Sequence, residues 1–192
     1  MSLYRFGRLV CRIFFKTVFR FQAEGVANVP SDGPVILCSN HISTFDPPTV
    51  GIALERKVHF MAKAELFDIP LFGTLIRKLG AFPVKRGGVS KESIRYALQL
   101  LGEGGMMGIF PEGTRGGGGM GKKGAASLAL RSGAAVVPVA IIGRYKPFRK
   151  MKVVYGKPID LAAYRDSANS DSLEQATEHI MSTIRELVAS HS

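Results

Sequence analysis

Only two cysteines, Cys11 and Cys38, occur in the 192 residues, and their separation matches no metal or redox motif. A disulfide scaffold is thereby excluded, and a reducing compartment is the expected setting. Cys38 stands in an apolar run, as a small core residue does. No stretch reaches the roughly 18 uncharged apolar residues that a spanning helix needs, so none is expected. There is no G-x-S-x-G sequence, which removes the usual support for a serine acyl-enzyme. The remaining histidines, His59, His179 and His191, stand at no ligand spacing from His41, so no metal centre is expected. Internal repeats and long linkers are also missing, and no acidic residue precedes Glu24.

What is present is cationic and rather apolar. A net charge of +11, a pI near 10, 46% hydrophobic residues and a mean hydropathy of +0.12 describe one domain with a substantial core and a surface that attracts polyanions. Arg5, Arg8, Arg12, Lys16 and Arg20 recur every three or four residues, which places them on one helical face. Leu3, Phe6, Val10, Ile13, Phe14, Val18 and Phe21 fall mostly on the other. Residues 1–22 are therefore expected to form an amphipathic helix lying in an anionic headgroup layer, with residues 23–192 as the main domain. The plainer alternative is a surface helix packed on the core. A secretory signal is not expected, because Arg12 and Lys16 interrupt its apolar region. Removing residues 1–20 is expected to weaken membrane association more than it alters the chemistry around His41.

Along the rest of the chain, apolar periodicity predicts strands near residues 20–24, 34–38, 57–62, 81–84, 105–110, 135–142 and 150–155. Helices are expected from Pro47 to about Arg56, over 69–79, over 90–101 with Ser90 as cap, and over 122–131. A last helix is expected to begin at a capping box of Asp171 and Glu174. Strands alternating with helices predict a single α/β domain: a central mixed sheet flanked by helices, with the amphipathic membrane-docking helix at its N-terminus.

Two clusters carry chemistry. His41 and Asp46 form an H-x4-D pair just after the predicted strand 34–38, at the kind of strand end where α/β folds keep reactive groups. A neutral imidazole accepts a proton at physiological pH, and a carboxylate on its other nitrogen fixes the tautomer and steadies the cation formed. Phe110-Pro111-Glu112-Gly113-Thr114-Arg115 supplies an arginine in a glycine-rich turn, suited to a phosphate dianion. Glu112 can accept a substrate hydroxyl or orient Arg115. Residues 116–122 also match the first seven positions of a nucleotide-binding P-loop, but Lys123 stands where a serine or threonine must hold magnesium.

Asn40-His41 through Asp46, then Gly80-Ala81-Phe82-Pro83-Val84-Lys85-Arg86, then Phe110 through Arg115, then Val137-Pro138-Val139-Ala140-Ile141 resemble, in order, the four motifs of the glycerolipid acyltransferases, most closely the 1-acylglycerol-3-phosphate acyltransferases. The resemblance implies transfer of a fatty acyl group from acyl-CoA or acyl carrier protein to the sn-2 hydroxyl of lysophosphatidic acid, giving phosphatidic acid, with no cofactor beyond that thioester co-substrate. It implies His41 as base and Asp46 as its partner. It further implies that Arg86 and Arg115 hold the phosphate, that Glu112, Gly113 and Thr114 shape the acceptor pocket, and that Pro138 lies on the acyl side. Gly116 stands where the family often has serine, and Phe82-Pro83 replaces a more β-branched pattern.

Such a substrate lives in the bilayer, so the expected location is the cytoplasmic face of the cell membrane, peripheral or monotopic, with residues 67–78 as a second contact. Rival readings are transfer to glycerol 3-phosphate or another lysolipid, and a non-catalytic anionic-lipid-binding module that would not require His41 with Asp46. Nucleic acid is not an expected partner: the cations from Arg144 to Lys157 come without a recognition motif.

Overall fold

A computed structural model of the chain describes residues 2–84, 90–111, 122–164 and 170–192. Seven strands form one sheet: β1 (Gln22–Glu24), β2 (Val35–Ser39), β3 (Val58–Lys63), β4 (Ala81–Val84), β5 (Met106–Ile109), β6 (Ala135–Gly143) and β7 (Met151–Tyr155). Their order is β1-β7-β6-β2-β5-β3-β4. Every neighbouring pair is parallel except β6 with β7, so the sheet is mixed, as expected. Central β2 is buried at all five positions, which its unbroken Val-Ile-Leu-Cys run requires of a parallel strand covered on both faces.

Among the described residues six α-helices, α1 (Leu3–Phe19), α2 (Asp46–Gly51), α3 (Phe72–Lys78), α4 (Lys91–Gly102), α5 (Lys122–Ser132) and α6 (Ser170–His191), surround the sheet. Side chains alternate across β2 into two cores. Ile36 and Cys38 join Leu101 of α4, Ala125 and Leu128 of α5, and Ile180 and Ile184 of α6 on one face. Val35 and Leu37 join Phe15 and Phe19 of α1 and Val50 of α2 on the other. Ser90 caps α4 as expected, its hydroxyl accepting from Ser93 N at 3.1 Å.

Three expectations change. First, α2 ends at Gly51 instead of running to Arg56. The Arg56 guanidinium turns inward and donates to the carbonyls of Pro30, Gly33 and Gly104, tying three loops beneath the sheet. Second, α6 starts at Ser170, which puts Asp171 inside its first turn, and Glu174 reaches across to Lys123 of α5 at 3.2 Å. Third, α1 has three faces where amphipathicity suggested two. Phe15 and Phe19 enter the core, with Arg8 on the same side donating to the Leu54 carbonyl. Leu3, Phe6, Val10, Ile13 and Phe14 stay exposed, beside the ridge of Arg5, Arg12 and Lys16. Deleting residues 1–20 would therefore cut into the core as well as the helix.

Candidate active site

The first reactive segment leaves the carboxyl end of β2. Asn40 anchors it: its Nδ2 donates to the Ile141 carbonyl at 2.9 Å, and its Oδ1 accepts from Ile141 N at 2.8 Å. One amide side chain thus continues the β2–β6 ladder beyond its last backbone pair, Ser39 with Val139. With the strand end held, the chain turns back through 41–45 into α2, and Asp46 comes beneath His41.

Asp46 Oδ2 lies 2.7 Å from His41 Nδ1 and accepts from Ile42 N at 2.6 Å and Ser43 N at 2.7 Å. Its Oδ1 accepts from the Tyr145 hydroxyl at 2.7 Å. The carboxylate is fully buried, whereas the imidazole is 20% exposed. A carboxylate only accepts, so the proton of the neutral ring sits on Nδ1, and Nε2 keeps its lone pair for an incoming acid. That is the arrangement a general base needs, with the counter-charge for the imidazolium already in place.

The second cluster meets the first through an aromatic stack. Phe110, one residue beyond β5, lies on the His41 ring with centroids 4.4 Å apart and planes 23° off parallel, and Phe60 of β3 stacks on Phe110 at 6.0 Å. Gly108 makes room for it, because a Cβ there would fall 2.1 Å from the Phe60 ring. Glu112, Gly113, Thr114 and Arg115, like Arg86, lie outside the described residues, as does most of the P-loop-like segment. Pro138 is buried in β6 opposite Cys38, and its ring faces Gly156 near Leu187 of α6.

Periodicity and spacing missed Asn40 as a strand clamp, Phe110 as the platform of the base, and Tyr145. All three act through partners between 69 and 101 positions away, the Asn40 and Tyr145 bonds spanning 101 and 99. An Asn directly after an apolar strand was the one available signal for the first. Burial raises the pKa of Tyr145 most strongly, the Thr49 hydroxyl lowers it, and the charge and hydrogen bond of Asp46 raise it again; the net shift is upward. The phenol is therefore an O–H donor at any ordinary pH. Separately, a cavity of about 700 Å³ between β3, β4, α3 and α4 is lined by Lys57, His59, Phe67, Arg77, Phe82 and Tyr96, and neither His41 nor Asp46 borders it.

The chain is similar to known proteins. The family model described as Acyltransferase matches residues 20–142, which contain the dyad, the aromatic stack and the Asn40 clamp. The chain is 34% identical over 192 residues to the 1-acyl-sn-glycerol-3-phosphate acyltransferase of Bacillus subtilis (strain 168), covering 96% of each protein. It is 35% identical over 146 residues to the chloroplastic 1-acyl-sn-glycerol-3-phosphate acyltransferase LPAT1 of Arabidopsis thaliana, covering 73% of this chain and 41% of that one. Among solved structures, the 1-acyl-sn-glycerophosphate (LPA) acyltransferase PlsC of Thermotoga maritima superposes with a TM-score of 0.68 at 26% identity, over 96% of this chain and 78% of that one. A match through the whole catalytic core, with near full-length correspondence to the Bacillus protein, settles the relationship: the chain belongs to the acyltransferase family.

Proposed function

We propose that this protein transfers a fatty acyl group from acyl-CoA or acyl carrier protein to the sn-2 hydroxyl of 1-acylglycerol 3-phosphate, forming phosphatidic acid. The observation that carries the reading is the 2.7 Å contact between His41 Nδ1 and a fully buried Asp46, which leaves Nε2 as the proton acceptor. His41 takes the proton of the acceptor hydroxyl as its oxygen attacks the thioester carbonyl. The tetrahedral intermediate collapses with loss of the thiolate, which leaves as the thiol with the proton from His41, so no acyl-enzyme is required. Base assistance of this kind supplies about 10²- to 10⁴-fold, and alignment of two bound substrates supplies more.

Arg86 and Arg115 are assigned to the acceptor phosphate, Glu112, Gly113 and Thr114 to the walls of its pocket, and Pro138 to the acyl side, on the strength of the motif resemblance. Docking is assigned to the cytoplasmic face of the membrane through α1, supported by its exposed Leu3, Phe6, Val10, Ile13 and Phe14 beside Arg5, Arg12 and Lys16. Among the described residues no helix is long and apolar enough to cross a bilayer.

The test is an acceptor panel: purified protein with acyl-CoA and 1-acylglycerol 3-phosphate, glycerol 3-phosphate or other lysolipids, read by thiol release and product mass. Fastest release with 1-acylglycerol 3-phosphate and a phosphatidic acid product is expected. Release with a different acceptor alone would reassign the substrate, and vesicle binding without release would make the chain a lipid-binding module.

A further inference from the structure

The dyad has a third member that the motifs do not contain. Asp46 is fully buried, and its two oxygens are served unequally. Oδ2 takes His41 Nδ1 and two backbone donors from the same short turn. Among the described residues the donor to Oδ1 is the Tyr145 hydroxyl, which arrives from the segment after β6, 99 positions away. The three contacts on Oδ2 all come from one short turn and move with it, whereas the bond to Oδ1 ties the far side of the carboxylate to a separate segment and so fixes the direction from which the imidazole is held. Because Tyr145 donates to the carboxylate, only its lone pairs face Thr49 Oγ1, 2.8 Å away, and the single Thr49 proton lies between that oxygen and the Phe45 carbonyl, also at 2.8 Å.

The ring that carries this hydroxyl is itself clamped. Phe19 meets it edge-on at 5.6 Å and Phe15 edge-on at 6.4 Å, both from α1, and Phe45 lies tilted against it at 5.6 Å. Phe15 and Phe19 are the inward residues of the helix whose other stripe, including Ile13 and Phe14, is exposed. We propose that Tyr145 is a positioning residue for the His41–Asp46 dyad: its hydroxyl locks Asp46 through Oδ1, and its ring ties that lock to the seat of α1. The geometry of the base then depends on how the helix assigned to the membrane is held. This rests on the reading of His41 as the general base.

Tyr145→Phe keeps the ring and its aromatic contacts and removes only the donor. In the acyl-transfer assay on vesicles, kcat is expected to fall about tenfold to a hundredfold, the range for a lost hydrogen bond to a buried charge, while KM for both substrates stays within about twofold. In a His41→Ala background the same substitution is expected to leave the residual rate unchanged, because there is no imidazole left to position. An equal fall in both backgrounds would mean lost folded protein and would overturn the proposal, as would a wild-type kcat. Phe19→Leu, assayed at saturating vesicle concentration, is expected to lower kcat several-fold without changing KM. Retention of full kcat there would overturn the link to α1. If His41→Ala alone keeps activity within about tenfold of wild type, the base assignment falls and the role of Tyr145 with it. If His41→Ala is inactive and Tyr145→Phe is not, only the proposal for Tyr145 falls.

Discussion

Burying Asp46 is affordable only because four donors converge on it, two from the backbone and two from the His41 and Tyr145 side chains. Asp46→Asn keeps the shape but presents an amide, so the His41 ring loses the charge that selects its Nδ1–H tautomer. Its kcat is expected to fall by about 10²- to 10⁴-fold with little change in KM, measured by thiol release on vesicles. Gly108 acts by what it lacks. Gly108→Ala drives a methyl into the Phe60 ring, and the displacement passes through Phe110 to the stacked imidazole. Overpacking of this kind costs about 1–3 kcal/mol, so both the thermal midpoint and kcat are expected to drop. A variant with unchanged melting and turnover would show that Phe60 does not support the base.

At the scale of elements, α1 is the informative case. Its periodicity is helical throughout, and two adjacent apolar stripes satisfy it, one taking Phe15 and Phe19 into the core and one leaving Phe6, Ile13 and Phe14 in the open. The two stripes separate experimentally. Replacing Phe6, Ile13 and Phe14 together with serine is expected to weaken sedimentation with anionic vesicles while leaving the thermal midpoint nearly unchanged. Phe15→Ala removes a buried ring and is expected to cost about 3–5 kcal/mol of stability, read by urea denaturation. Vesicle binding that survives the triple substitution would move the docking surface elsewhere on the molecule. Chain-local signals also explain why α4 was legible to its cap: the Ser90 hydroxyl and the Ser93 N–H it accepts from lie three residues apart. The end of α2 was not legible, because Arg56 is satisfied by carbonyls 23, 26 and 48 positions away.

Across the whole molecule the parallel strands β2 and β5 deliver their chemistry at one edge, His41 two residues beyond the first and Phe110 one residue beyond the second. The opposite part of the sheet carries a pH liability. Burial holds the pKa of His59 below the ordinary histidine value of 6.5; its hydrogen bond to the Met106 carbonyl works against this, and Lys57 adds to the depression. A depressed histidine is neutral in both states above pH 6.5, so stability there is intact. Below it the unfolded chain takes up the proton first, and stability is lost as the pH falls toward the folded value. His59→Gln is therefore expected to flatten the decline in urea midpoint between about pH 7.5 and about pH 5.5. An equally steep decline in the variant would place the acid sensitivity on other groups.

Local order in the sequence was enough to determine the alternation of strands and helices, the cap of α4, the burial of β2 and the pairing of His41 with Asp46, because each rests on residues within a few positions of one another. Tertiary structure alone decided that Asp46 is fully desolvated, that Tyr145 reaches its second oxygen, that Phe110 lies on the imidazole and which stripe of α1 is interior. Desolvation and long-range donors depend on every segment that packs around a site, and periodicity along a chain records only which residues share a face.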